Sequence, residues 1–430
     1  MLEIQKKFTK SFFVLLSLPA TAMGFALSVQ IAALSWILNS KFGFNLEEIG
    51  LVWIAGPAAG ILGQVIIGVI SDKVWFWGGR RRPFILVGGV IAAIMLLALP
   101  NIGVISEALG FEEVIGVAIA VALSLDLAIN ISFNPTRSVI ADVTPEGDVR
   151  TKGYTWMQTI SGFFGVIAYL IGAFVSNYVL IYMGAVLVFL FSVIPTLFIT
   201  EPRELDEQTD NEQAENKKET NIPQFIKICL AHAFTWVGVQ TMFIYTFAYI
   251  KEVIMGFGTT DVISELENNN IGFITGVSFA ILNTVGFLLP ATVLEPIAKK
   301  IGRVKTHMLC IATMSIGYVL IIFFAQSQEM LFVMMAVVGV GWAAVVSLPF
   351  AIMSEAVDQS KMGMYMGLFN LSVVIPQLVA SSLGGFIDGQ ENKNMIFIIS
   401  AIALGVSAVL WLFVKESKNN NEKLSPSAGH

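Results

Sequence analysis

Residues 114–133 read VIGVAIAVALSLDLAINISF, a run long enough to cross the hydrocarbon core of a bilayer with a single acid, Asp126, near its middle. A carboxylate at that depth is expensive and is retained for a task such as carrying protons or ions, or holding a substrate. Arg137 follows eleven positions later, almost three whole helical turns on, so both side chains lie on one helical face. An acid and a base on one face of a membrane helix indicate a transport pathway.

The composition predicts many such helices. Apolar residues make up 56% of the 430 and charged residues only 13%, where a soluble protein carries about 25% charged residues. We identify twelve uncharged stretches near the length of a membrane helix, without the alternation of barrel strands. The first stretch follows three lysines as a signal peptide does, but it is too long and continues into the other spans, so it is predicted to be retained as helix 1. The predicted fold class is an all-α membrane protein with twelve transmembrane helices.

Basic residues predict the orientation, because cytoplasmic loops are enriched in lysine and arginine. With both termini in the cytoplasm, 21 basic residues lie inside and only Lys41, Lys251 and Lys393 lie outside. The sequence therefore predicts a multi-pass protein of the cell inner (plasma) membrane with both termini cytoplasmic.

The chain is predicted to be a duplication. Loop 2–3 reads SDKVWFWGGRRRPF and loop 8–9 reads EPIAKKIGRVKT, each an acid, a short spacer and Gly-Arg, while Pro135 and Pro349 occupy corresponding helices. Two six-helix halves around a central cavity are typical of the major facilitator fold, with its site at the midplane. The predicted domains are an N-terminal half (1–200), an acidic cytoplasmic linker (201–222), a C-terminal half (223–417) and a disordered tail (418–430).

The repeated loops predict a cytoplasmic gate. Acids there can accept hydrogen bonds from backbone or arginine donors at a neighbouring helix end until the halves rock apart. The predicted gate residues are Asp72, Arg80, Arg81, Asp142, Glu295, Arg303 and Glu355. The arginines also serve the inside-positive bias, which is the alternative explanation for their presence.

Three segments resemble the sucrose/disaccharide–proton symporters, the plant sucrose transporters with their animal and bacterial relatives. Residues 53–85 match that family's helix 2 and its GRRRPF loop, and residues 367–377 (GLFNLSVVIPQ) match its helix 11. Helix 4 matches through Asp126, Ala128, Asn130, Pro135, Arg137, Ala141 and Asp142. The resemblance implies symport of a sugar with protons, with Asp126 and Arg137 at the positions that link the two movements.

Helix 7 departs from the plant pattern. Plant members carry aspartates in a D-x-D-W-M-G stretch after the helix 7 tryptophan, whereas residues 246–253 here read TFAYIKEV. A bacterial relative that carries maltose or another glucoside therefore fits the sequence at least as well as a sucrose carrier.

Asp126 is the predicted proton carrier, since desolvation at the midplane favours its neutral form. The alternative is a neutral acid hydrogen-bonded to a neighbouring helix. Arg137 lies roughly 16 Å along the axis, too far for a direct contact, and either takes part in coupling or braces the gate against Asp142 or Glu355. Polar and aromatic side chains predicted to bind the sugar are Gln30, Asn130, Gln158, Trp236, Gln240, Asn283, Asn370 and Gln377. Buried amides also join membrane helices to one another, which is the alternative role of each.

Other functional classes find little support. The sequence contains no Walker loop, nucleophile elbow or dinucleotide fingerprint, so neither an ATP-driven pump nor an enzyme is predicted, and no cofactor, metal or nucleic-acid partner is expected. His232 is predicted to begin helix 7 and His307 to lie in a basic loop. The predicted partners are a sugar, protons and the lipid bilayer, with a monomer sufficient. Sodium-coupled sugar uptake, proton-coupled efflux of another solute and a non-transporting membrane sensor remain as alternatives.

Overall fold

The described residues form a bundle of long helices. The computed structural model describes residues 3–60, 70, 74–145, 148–202, 220–258, 261, 263–357 and 362–416. Its main helices are α1 (Lys10–Phe42), α2 (Leu46–Trp53), α3 (Arg82–Ala98), α4 (Ile115–Val143), α5 (Asp148–Phe174), α6 (Asn177–Phe198), α7 (Ile222–Tyr249), α8 (Glu265–Leu289), α9 (Arg303–Phe324), α10 (Gln328–Ser347), α11 (Met362–Ser382) and α12 (Met395–Trp411). Shorter helices continue several of these, among them Ile102–Ala108 after α3, Pro349–Ser354 after α10 and Gly384–Asp388 after α11.

Within the described residues, ten helices are long and apolar enough to cross a membrane. The two predicted spans that do not reach this length are α2, after which residues 61–69 lie outside the description, and α12, which is shorter. The protein is thus an all-α membrane protein, while the count of twelve spans and the side on which the termini lie stay predictions. Most of the predicted linker, and the whole of the predicted tail at 418–430, lie outside the described residues.

Polar residues at the turns set where the helices begin and end. The Thr9 hydroxyl accepts the Phe12 backbone N–H at the start of α1, and Gly43 ends that helix in the left-handed conformation that glycine adopts without strain. A reciprocal capping box of Ser264 and Glu267 opens α8. These signals divide an almost continuously apolar sequence into separate helices.

The packing of the first six helices recurs six helices later. In the first half, α1 packs on α5 and α6, and α3 packs on α4 and α6. In the second half, α7 packs on α11 and α12, and α9 packs on α10 and α12. The duplication predicted from the sequence is thus accompanied by a matching pattern of contacts. The exact boundaries of the predicted domains stay a prediction.

In the described residues the halves meet mainly along two helix pairs, α5 with α8 and α2 with the end of α11. We call the end of the bundle that carries Arg81 and Arg303 the basic end, and the other the distal end. Glycines allow close approach at both pairs: a Cβ on Gly276 of α8 would lie 2.8 Å from the Tyr169 carbonyl oxygen, and one on Gly384 would overlap the Leu46 carbonyl. The Trp36 indole donates to the Asn268 carbonyl at 2.9 Å, a further link across the distal end.

Candidate functional site

Asp126 lies in the interior of α4 with only 6% of its surface exposed. The Gln30 amide nitrogen, on α1, donates to its Oδ2 atom at 2.8 Å. A Cβ on Gly56, in the helical residues that continue α2, would lie 3.0 Å from the same oxygen. Among the described residues Asp126 forms no ion pair, so its carboxyl is buried against an uncharged amide. An isolated buried carboxylate is so costly that it takes up a proton instead.

In the described contacts, the other polar residues of α4 form no charged contact with the Asp126 carboxyl. The Asn130 amide donates to the Asp126 backbone carbonyl at 2.8 Å, a bond within its own helix. Arg137 is exposed, with its guanidinium over the Phe133 ring at 4.1 Å. Tyr154 of α5 donates to the Arg137 carbonyl at 3.2 Å. The Arg137 side chain therefore stacks on an aromatic ring of α4, at a distance along the helix from Asp126.

A second polar cluster lies in the other half of the bundle. The Gln377 amide of α11 donates to the Gln240 amide oxygen of α7 at 3.3 Å. The Trp342 indole of α10 donates to the Asn283 amide oxygen of α8 at 3.2 Å. The Trp236 ring stands almost perpendicular to that of Trp342, with centroids 6.3 Å apart. Sequence-predicted sugar-binding residues of α7, α8 and α11 are thus brought together in one half, beside a tryptophan of α10.

Tyr169 connects the two halves beside this cluster. It is buried on α5, and its hydroxyl interacts with the side chains of Ser28 on α1 and Asn283 on α8. Its ring also packs edge-on against Phe279, with centroids 5.9 Å apart. In the sequence alone, a tyrosine on an apolar helix face is interpreted as a packing residue. The sequence therefore gave no indication that Tyr169 connects the two halves.

Two predicted ligands stand apart from both clusters. Gln158 on α5 is exposed and Asn370 on α11 is half-buried. In the described part of the chain neither side chain forms a hydrogen bond with another residue.

The basic end carries most of the predicted gate residues. The Arg81 Nε atom donates to Asp142 Oδ2 at 2.9 Å in a buried ion pair, and Arg303 pairs with Glu355 at the corresponding place in the second half. Asp142 and Glu355, the two carboxylates considered as brace partners for Arg137, are thus each paired with an arginine of their own half. Asp72 lies outside the described residues.

Glu295 and Arg80 differ from the other gate residues. Glu295 is exposed and pairs with Lys299 one turn later at 2.7 Å; this hydrogen bond and the lysine charge lower the pKa of the Glu295 carboxyl. Arg80 contributes its backbone N–H, which donates to Glu201 Oε2 at 2.7 Å. The main chain of Arg80 thus takes part in holding Glu201 at the basic end.

Two acids that sequence reasoning missed complete this end. Glu201 also accepts the backbone N–H groups of Arg81 and Arg82, both at 2.8 Å, at the start of α3. Glu416 accepts those of Arg303 and Val304, at 2.7 and 2.9 Å, at the start of α9. Each acid follows the last helix of its half, and that matching position is the sequence signal that points to them.

The two histidines differ from their predicted places. His232 lies in the middle of α7 rather than at its start, and His307 lies within α9 rather than in a loop; both are buried. His307 was placed in a loop because basic residues surround it, as is typical of cytoplasmic loops, although an apolar run follows. Searched over its described residues, the chain has no group of three or more His, Cys, Asp or Glu side chains that could hold a metal ion.

Comparison with known proteins gives consistent results. The family model described as MFS/sugar transport protein matches residues 12–371. Sucrose transport protein SUT5 of Oryza sativa is 24% identical over 95% of this chain and 88% of its own length. The general alpha-glucoside permease of Schizosaccharomyces pombe is 27% identical over 56% of this chain and 49% of its own length.

Solved structures share the fold at low sequence identity. A point mutant of the nucleoside transporter NupG matches with a TM-score of 0.71 and 13% identity, covering 94% of this chain and all of that one. The xylose transporter XylE from E. coli, in an inward-open conformation, matches with a TM-score of 0.67 and 16% identity over 95% of this chain and 97% of that one. The relatives by sequence and by structure are membrane transporters rather than enzymes.

Proposed function

The chain belongs to the MFS/sugar transport protein family, and we propose that it is a secondary active transporter coupling proton entry to uptake of a disaccharide or glucoside. The proposed substrates are of the sucrose or maltose class, and two of the relatives are named for sucrose and for alpha-glucosides. The proposed location is the cell inner (plasma) membrane, with a monomer as the working unit and both termini in the cytoplasm.

The observation that carries proton coupling is the environment of Asp126. Its carboxyl is buried in a membrane helix, accepts from the Gln30 amide and has no cationic partner among the described residues. Such a group binds a proton while the site is dry and releases it when the cavity admits water or a cation. Arg137, on the same helix nearer the basic end, is the cation proposed to favour release as the helices rearrange.

The sugar is proposed to bind to the cluster in the second half. Sugars offer hydroxyl groups and apolar C–H faces. Gln240, Gln377 and Asn283 supply amide donors and acceptors, while Trp236 and Trp342 supply aromatic faces. A proton site on α4 and a sugar site on α7, α8, α10 and α11 place the two ligands in opposite halves. Rocking of one half against the other then moves both together.

The test is uptake of labelled sucrose and maltose into proteoliposomes with an inward proton gradient, comparing wild type with Asp126→Asn. We expect wild-type accumulation that a protonophore abolishes and that the variant lacks, since an amide cannot carry the proton. The matched control is Glu107→Gln, an exposed acid at the end of the short helix Ile102–Ala108, which is expected to accumulate sugar normally.

Other results discriminate among the alternatives. Accumulation unchanged in Asp126→Asn would contradict the role of Asp126. Accumulation driven by a sodium gradient and indifferent to protonophore would establish sodium coupling. Absence of uptake of both sugars by wild type would redirect the search to other glycosides or to export, measured by efflux from preloaded vesicles.

A further inference from the structure

We propose that His232 is a positioning residue for the sugar site, in that its ring accepts the indole hydrogen bond of Trp236 and fixes that ring beside Trp342. The two residues lie one turn apart on α7, and the Trp236 Nε1 atom donates to His232 Nε2 at 2.9 Å. This role rests on the proposed sugar transport and extends it to a residue that does not itself touch the sugar.

The chemistry of the pair fixes the state of the histidine. An indole N–H is a donor only, so the Nε2 atom of His232 must carry a lone pair and the ring is neutral with its proton on Nδ1. His232 is 2% exposed and its ring stacks on Phe369 of α11, with centroids 4.8 Å apart and planes 12° apart. The stack holds the imidazole plane, and the imidazole in turn holds the indole.

The stability of the fold does not by itself explain a histidine at position 232. In the described structure the Nδ1 atom of His232 is buried without a hydrogen-bond partner. A buried polar group left unpaired costs about 1–3 kcal/mol. An apolar side chain would fill the same space without that cost, but it would leave the Trp236 indole without its acceptor.

The hydrogen bonds of the two tryptophans determine which part of each indole ring is available to a sugar. The indole N–H of Trp236 is taken by His232, and that of Trp342 is taken by Asn283. Each ring therefore offers its face rather than its donor, while the hydroxyl groups of the sugar are left to amides such as Gln240. Loss of the His232 acceptor would free the Trp236 indole to rotate, misplacing the face against which the sugar packs.

The test compares two substitutions of His232 with a matched control. His232→Leu removes the acceptor, and His232→Gln retains an acceptor at a similar reach. The control is His307→Leu: His307 is equally buried, and its ring forms no hydrogen bond with another side chain among the described residues. We expect His232→Leu to raise the KM for the transported sugar about tenfold at nearly constant kcat, equivalent to about 1.4 kcal/mol. His232→Gln should recover most of the affinity, and His307→Leu should stay within about twofold of wild type.

A second readout does not depend on transport. In protein labelled with ¹⁵N-tryptophan, the Trp236 indole resonance is assigned by its absence in Trp236→Phe. His232→Leu is expected to shift that resonance upfield and to speed its hydrogen exchange, whereas His307→Leu leaves it in place.

The outcomes separate the two proposals. A wild-type protein that transports neither sucrose nor maltose refutes the proposed substrate class, while the indole resonance still tests the hydrogen bond. A wild type that transports sugar with an unchanged KM in His232→Leu overturns the positioning role alone. An equal rise in KM in His307→Leu would also overturn it, because the effect would then come from packing.

Discussion

Gly56 leaves the Asp126 carboxyl little room. A Cβ at this position would lie 3.0 Å from Oδ2 and 3.3 Å from the other two carboxyl atoms, closer than side chains normally pack. The carboxyl would have to move away from α2, and its hydrogen bond from Gln30 would lengthen or break. The position of the proposed proton carrier therefore depends on a residue with no side chain.

At the residue scale we expect Gly56→Ala to impair coupled uptake about tenfold or more. Leaving a buried hydrogen-bonding group without its partner costs about 1–3 kcal/mol, and each 1.4 kcal/mol corresponds to about a factor of ten. The measurement is sugar accumulation per unit of proton gradient in proteoliposomes. The control is Gly60→Ala, one turn later, where a Cβ would make an ordinary contact of 3.8 Å with Val374. Equal accumulation in the two variants would show that the carboxyl can shift without loss of function.

At the scale of the elements, the starts of α3 and α9 are held by acids from distant parts of the chain. Glu201 accepts three backbone N–H groups and Glu416 accepts two, all at positions where a helix has no internal acceptor. A negative charge there also interacts favourably with the helix dipole. The two acids thus fix the helices that carry Arg81 and Arg303, and through them the ion pairs of the basic end.

We expect Glu201→Gln and Glu416→Gln each to lower the melting temperature of the detergent-solubilised protein. Each loses charge-assisted hydrogen bonds to helix N–H groups, a loss of about 1–3 kcal/mol. Glu295→Gln is the control at the same end, because its pair with Lys299 is exposed and contributes little. The prediction is contradicted if Glu295→Gln proves as damaging as the other two.

The gate residues show what the sequence could reveal at this scale. Four gate residues were predicted because their surroundings repeat between the halves: the loops that carry Arg81 and Arg303, and the helix ends that carry Asp142 and Glu355. The structure pairs each arginine with the acid of its own half. Glu201 and Glu416 were missed because their partners are backbone N–H groups more than a hundred residues away, which leave no residue-type signal. Asp126 was found because a lone acid stands out in an apolar run. His232 was misplaced because α7 begins earlier than the apolar run suggests, at Ile222.

At the scale of the whole molecule, the described contacts join the halves at the distal end through backbone packed against backbone. A Cβ on Gly384 would overlap the Leu46 carbonyl, and one on Gly50 would overlap the Ser381 carbonyl. Each half therefore needs its own glycine for the two backbones to come this close. The sequence predicted two halves from their repeats. It could not reveal this contact, because a glycine in a membrane helix has many other uses.

We expect Gly384→Ala to separate the halves at the distal end, because the added methyl group cannot fit while Gly384 lies against Leu46. The measurement is the distance between spin labels at Glu107 and Glu391, exposed residues in different halves, in a background with Cys229 and Cys310 replaced by serine. The distance distribution should shift to longer values. Transport should slow as well, since a transporter that works by alternating access must close this end in every cycle.

Gly367→Ala on α11 is the control, because a Cβ there meets nothing within 4 Å and the distance should not change. If Gly384→Ala gives the wild-type distance distribution, the two halves must accommodate the methyl group by local adjustment. The close backbone contact would then be a feature of packing in one conformation and not a condition for closing the distal end. If the distance lengthens while transport stays normal, closure of the distal end does not limit the rate of the cycle. Another step, such as proton or sugar release, would then be rate-limiting.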